Sequence, residues 1–131
     1  RGFGFGSGNT CVVLVAVDDA GTGMLGTVTL EPFGPGSELA RDGTEADIRA
    51  FAVAPRAQGQ GVGRTLLLAV IQLAGQRGVR CLRLCTRPPM EAARHLYEAN
   101  GFSRTPDLDF EPVPGLALRA YELALPSAPS R

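Results

Sequence analysis

Val53-Ala54-Pro55-Arg56-Ala57-Gln58-Gly59-Gln60-Gly61-Val62-Gly63-Arg64 is the stretch on which the fold turns. A β-favouring segment ends at Pro55, the loop Pro55–Gln60 follows, and helical periodicity then runs for about sixteen residues. A helix start leaves backbone N–H groups unpaired and carries the positive end of the dipole, so it is ready to hold an anion. Gly59, Gly61 and Gly63 let the backbone come close to a ligand without side-chain obstruction. A pyrophosphate fits that demand. Two familiar phosphate patterns fail on spacing. A Walker A loop needs Gly, four residues, then Gly-Lys-Ser/Thr, whereas Gly63-Arg64-Thr65 has Arg for Lys and Gln58 stands in place of the first Gly. The dinucleotide fingerprint Gly-x-Gly-x-x-Gly is broken because Gly63 follows Gly61 too closely.

Upstream of this stretch, Cys11–Val17 reads as a strand dense in β-branched residues, Asp18–Gly23 as a turn, and Leu25–Leu30 as the second arm of a hairpin. Glu31–Thr44, with two Pro and three Gly, reads as a long loop, and Glu45–Ala54 as a strand. Downstream, Leu66, Val70, Leu73 and Ala74 give the helix its apolar face and Gly78 stops it. Val79–Thr86 is a strand. Pro88-Pro89 opens a second helix that Asn100-Gly101 ends. A Pro-rich acidic loop, Asp107–Gly115, precedes a last strand at Leu116–Leu125. Hairpins first and crossover helices later predict an α/β fold with a mixed sheet flanked by helices, mostly antiparallel in the fold that the resemblance given below implies. Residues 1–10 read as a Gly-rich segment, 11–125 as one domain and 126–131 as a tail.

The composition agrees with one globular domain: 131 residues, 44% hydrophobic and 20% charged. No apolar run approaches a bilayer span and no signal peptide opens the chain, so a cytoplasmic protein without membrane contact is expected. Thirteen Arg balance thirteen acidic residues and Lys is absent, which argues against a nucleic-acid partner. The charge is uneven, because residues 56–95 hold seven Arg against Glu91 alone. An anionic ligand or a solvated helix face gives the same count. Cys11, Cys81 and Cys85 lack metal-ligand spacing and read as reduced thiols, so no metal is expected.

A second block lies downstream: Ala93-Arg94-His95-Leu96-Tyr97-Glu98-Ala99-Asn100-Gly101-Phe102. It resembles the Leu-Tyr-Glu-x-x-Gly-Phe helix end of the GNAT superfamily of N-acetyltransferases. Gln58-x-x-Gly61-x-Gly63, after Ala52-Val53-x-Pro55, resembles that family's acyl-CoA pyrophosphate loop. With the elements around them, the two motifs extend the resemblance over nearly the whole chain. It implies an acetyl-CoA-dependent N-acetyltransferase of bacterial type, shortened at its N-terminus because the usual first strand and two helices are missing. The acceptor would be a small-molecule amine or a peptide amine, the acetyl group moving by direct attack in a ternary complex. A homodimer is compatible with this reading. The alternative is a non-catalytic acyl-CoA-binding module.

The resemblance assigns Phe51, Ala52 and Val53, on a bulged strand that splays from its neighbour, to pantetheine and the thioester carbonyl. It assigns the backbone of Gln58, Gly59, Gln60, Gly61, Val62, Gly63 and Arg64 to the pyrophosphate. Tyr97 matches the tyrosine that protonates the departing thiolate, or is a core aromatic at helical spacing. Asp47 stands where some members place a catalytic Glu, and Glu45 shares its strand face. Either could serve as the base through water, or both could be a solvated strand start. Other members carry an acid on the following strand, where this sequence has Cys85. Arg64 would reach a phosphate or cap the first turn. His95, the only His, reads as exposed. Asp107, Asp109 and Phe110 are candidates to line an acceptor mouth.

Overall fold

A computed structural model describes residues 11–87 and 90–126. The Gly-rich segment 1–10, the Pro88-Pro89 helix opener and the tail beyond Pro126 lie outside the described residues. The elements are β1 (Val12–Val17), β2 (Met24–Pro32), β3 (Glu45–Val53), α1 (Val62–Gln76), β4 (Cys81–Thr86), α2 (Glu91–Ala99), β5 (Ser103–Arg104) and β6 (Arg119–Ala124). Short 3-10 turns stand at Pro55–Ala57 and Pro106–Leu108. The six strands form one sheet in the order β1-β2-β3-β4-β6-β5, with β3 and β4 parallel and every other pair antiparallel. The mixed sheet and its two helices agree with the fold read from the sequence. Among the described residues no helix is long and apolar enough to cross a membrane.

The core lies between α1 and one face of the sheet. Leu66, Leu67, Val70 and Ala74 of α1 pack with Val28, Leu30, Ala46 and Ile48 from β2 and β3. That is the period-3.6 stripe of a helix laid on the period-2 face of strands. Gly26 on β2 allows the close seating: a Cβ there would stand 2.8 Å from the Ala52 carbonyl oxygen and 2.9 Å from Leu66 Cδ1. Gly26→Ala must therefore displace the β3 backbone at Ala52 as well as the Leu66 side chain. We expect a loss of about 1–3 kcal/mol, read as a fall in the thermal unfolding midpoint.

Two local features shape the far end of β3. Thr27 pairs with Ala52 and Thr29 with Arg49, so Val28 alone opposes Ala50 and Phe51. This is a β-bulge, and Ala50 takes a left-handed φ of 51° within it. The extra residue shifts the side-chain alternation by one. Ala46 and Ile48 face α1 before the bulge; after it Phe51 and Val53 face α1, near Gly63. The second feature is the shortness of the β3–β4 ladder, which covers only Glu45–Asp47 against Cys81–Arg83. β3 stays paired with β2, and β4 with β6 along its whole length. Two half-sheets thus part beyond Asp47 and Arg83, opening a gap toward the C-terminal ends of β3 and β4.

An ion cluster on the face away from α1 closes the other end. Arg83 is buried and bonds Glu45 on β3 and, at 3.1 Å, Glu122 on β6, so one guanidinium ties three strands. Its bonds to Glu45 and Glu122 hold the guanidinium above its ordinary range although burial acts the other way.

Candidate active site

β3 leads straight into the loop read first in the sequence. Ala54 N–H still bonds Leu25 O at 2.8 Å, and Pro55 then starts the 3-10 turn, whose Ala57 is buried. Gly59 and Gly61 have φ of 80° and 84°, the left-handed region open to glycine at little cost. Gly61 is the N-cap of α1. It offers no side-chain cap, and the first turn holds no acidic residue. The opening N–H groups of α1 therefore have neither an intrahelical nor a capping partner. Such a set of donors, at the mouth of the gap, is of the kind that can hold an anion.

Gly63 serves differently from what spacing suggested. A Cβ there would point into the protein, 3.5 Å from Leu96 Cδ2 and 3.6 Å from Val53 Cγ2. These are ordinary van der Waals distances, so Gly63 packs where α1, α2 and β3 meet and has room for a methyl group. Gln58 and Gln60 turn their side-chain amides back onto Val53 O and Arg56 O, at 3.4 and 3.1 Å. Arg64 is exposed on the first turn and Val62 is half-buried against Gly26.

Tyr97 forms the floor of the gap on the helical side. Its ring lies 6.1 Å from Phe51 of β3, 6.1 Å from Tyr121 of β6 and 5.9 Å from Phe102. It is thus both a core aromatic and a residue bridging the two half-sheets. Burial, with a smaller contribution from Cys85, pushes its hydroxyl up to about 12. Tyr97 keeps its proton throughout the neutral range.

The structure gives both candidate bases, Asp47 and Glu45, partners within the protein. Asp47 is 1% exposed. Its Oδ2 accepts the N–H groups of Glu38 and Leu39, at 2.8 and 3.1 Å, and its Oδ1 that of Ala40, at 2.9 Å. A carboxylate so buried and engaged anchors the loop 33–44. Glu45 is held by Arg83 and by the Arg41 N–H at 2.8 Å, and stands at the closed end of the β3–β4 ladder. Neither residue is placed to take a proton in the gap.

Other charges are also committed. Arg94 pairs with Glu91 and, at 3.4 Å, Glu98. With Arg83 in its own cluster, two of the seven Arg of residues 56–95 are thus neutralised locally. His95 is exposed on α2. Asp109 takes two 2.7 Å bonds from Arg104, which hold its carboxyl down at about 2, and accepts Ala120 N–H. It fastens the late loop to the sheet and is not free to attract an amine.

Sequence reasoning missed Glu38. One carboxylate oxygen lies 3.8 Å from Cys85 Sγ, the other 3.4 Å from Arg49 Nη2. The signal that could have found it was an Asp set between Ala46 and Ile48 in a buried strand, which must gather donors from a neighbouring loop.

A mixed sheet that splits beside an uncapped, glycine-led helix is the architecture of the GNAT acyltransferase fold. The model of the acetyltransferase (GNAT) family matches residues 3–102, and the chain belongs to that family. The uncharacterized N-acetyltransferase YhfO of Bacillus subtilis (strain 168) is 46% identical over 50 residues, which are 38% of this chain and 34% of that protein. The mycothiol acetyltransferase of Rhodococcus jostii (strain RHA1) is 36% identical over 58 residues, 44% of this chain and 19% of that protein. The matched stretches are thus well under half of either relative. The solved structure of a GCN5-related N-acetyltransferase from Kribbella flavida superposes with a TM-score of 0.71 at 29% identity, over 92% of this chain and 71% of that one.

Proposed function

We propose that this chain moves an acetyl group from acetyl-CoA to a primary amine, carried by a small molecule or a peptide, by direct attack within a ternary complex. One observation carries the reading: β3 and β4 part after three residue pairs, and β3 then leads through a short loop into a glycine-led helix start without a cap. The pyrophosphate would rest on the N–H groups at the start of α1. The pantetheine arm would lie in the gap against the free backbone edge of Phe51, Ala52 and Val53. A donor N–H beside the thioester carbonyl would stabilise the tetrahedral oxyanion.

Tyr97 would face the departing thiolate. At about 12 it is a weak acid beside a thiol of ordinary value near ~8.5. Its main service is therefore a hydrogen bond that strengthens as the C–S bond breaks. Tyr97→Phe is expected to lower kcat about tenfold, short of the larger losses of strong acid catalysis, with acetyl-CoA affinity unchanged. The protonated form is the competent one and persists up to about 12. Wild-type kcat should accordingly show no descending limb as pH rises to about 10; a limb centred near neutrality would contradict the assignment.

The test of the function is thiol release from acetyl-CoA against a panel of alkylamines and N-terminal peptides. Turnover with either class supports transfer and identifies the acceptor type. Saturable acetyl-CoA binding with no turnover on any amine favours the non-catalytic binding module.

A further inference from the structure

Glu38 occupies a position that the reaction proposed above leaves unassigned. Cys85 and Arg49 each lie two residues beyond the last pair of the β3–β4 ladder, Arg83 and Asp47. Both stand on the sheet face away from α1, because Leu84 and Ile48 take the core side. The Glu38 carboxylate reaches both, with one oxygen 3.8 Å from Cys85 Sγ and the other 3.4 Å from Arg49 Nη2. It therefore straddles the point where the two half-sheets separate. Tyr97 borders the same gap from the opposite, helical face. The two faces of the gap thus carry different chemistry, a protonated phenol on one and a carboxylate on the other.

The carboxylate of Glu38 has only long contacts, to Cys85 Sγ at 3.8 Å and Arg49 Nη2 at 3.4 Å, and the loop that carries it is held by other groups. The Glu38 backbone N–H, and those of Leu39 and Ala40, are bound by Asp47. The loop position is thus set by the main chain and not by the Glu38 side chain. Arg49 divides its charge among Glu38, Glu31 at 3.0 Å and the Gly36 carbonyl at 3.1 Å. Buried Asp47 adds a further negative charge nearby. Burial and the adjoining Glu38 carboxylate push the Cys85 thiol up to about 11, so Cys85 stays a neutral S–H donor and does not compete for a proton.

We propose that Glu38 receives the acceptor's ammonium group at the splay of β3 and β4 and takes up its proton before attack. The inference rests on the acetyl-transfer reading above. One proton passes from the ammonium to Glu38 and on to solvent. The freed nitrogen lone pair attacks the thioester carbon, the C–N bond forms and the C–S bond breaks. The second proton leaving nitrogen passes to the thiolate sulfur, toward which Tyr97 directs its hydrogen bond. The balance is acetyl-CoA plus an ammonium giving an amide, CoA thiol and one released proton.

The experiment compares wild type with Glu38→Gln and Glu38→Asp, using benzylamine, an ammonium at neutral pH, and aniline, a free base there. For Glu38→Gln, kcat/KM with benzylamine should fall about 10²-fold, the loss with aniline should stay within about threefold, and acetyl-CoA affinity should not change. Glu38→Asp, which keeps the charge, should recover part of the benzylamine rate. Equal losses with both amines, or no loss, would overturn the assignment, because a purely structural Glu38 cannot tell an ammonium from a free amine. A wild type that binds acetyl-CoA but acetylates neither amine overturns it as well. Failure of wild type to bind acetyl-CoA would instead refute the acetyl-transfer reading itself.

Discussion

Asp47→Ala is expected to destabilise the fold by about 3 kcal/mol or more, lowering the unfolding midpoint by about 10 °C. The substitution strands three backbone donors at once, those of Glu38, Leu39 and Ala40. Leu39 and Ala40 are buried, so water cannot replace the lost acceptor. Asp47→Asn should be little better, because its amide NH2 would confront one set of N–H donors. The two roles considered for Asp47 make opposite predictions for the Asn variant. A general base would leave the midpoint intact while turnover collapsed. A loop anchor lowers the midpoint, and any activity lost follows from displacement of loop 33–44. Calorimetric melting of the Asn variant beside its turnover separates the two.

Gly61→Ala and Gly63→Ala form the second test, since the geometry gives them opposite outcomes. At Gly61 a Cβ meets nothing within 4 Å, but φ is 84°. The cost is conformational, about 1–2 kcal/mol, and the chain can relieve it by leaving the geometry that aims the N–H groups of α1. CoA affinity should fall tenfold or more. At Gly63 an added Cβ makes only ordinary contacts, at 3.5 to 3.9 Å, and points away from the helix mouth. Alanine there gains helix propensity of up to about 1 kcal/mol. Gly63→Ala should hold or raise the midpoint and leave CoA affinity within about threefold. Equal losses of affinity would mean that the loop binds by open space alone and that backbone shape is irrelevant.

These contrasts mark how far the sequence could be read. The loop 53–64 and the Leu96-Tyr97 block were legible because each combines a local backbone demand with a helix boundary, and both lie within a few residues. The hairpin, the long helix and the mixed sheet followed from periodicity. What escaped depends on pairings between distant segments. The cluster of Arg83 with Glu45 and Glu122 joins three strands, two of them neighbours only because β6 inserts beside β4. The inward turn of Phe51 needs the bulge at Ala50, whose left-handed φ no alanine announces. Asp47 looked like a base because its spacing from Val53 was right, yet its burial depends on the loop that folds over it. Glu38 lies in that loop, where no period marks which side chain returns to the sheet. The last strand is shorter than its apolar pattern, Arg119–Ala124, because Leu118 forms an isolated bridge with Phe110 before the ladder begins.

The central claim is that the split between β3 and β4, with the start of α1 at its mouth, is a coenzyme A site. Isothermal titration of the folded chain with CoA, with ATP and NAD as controls, tests this most directly. Saturable heat at one site per chain is expected for CoA, weakened tenfold or more in Gly61→Ala and kept in Gly63→Ala. Folded protein that gives no heat with CoA, or that prefers ATP or NAD, would contradict it.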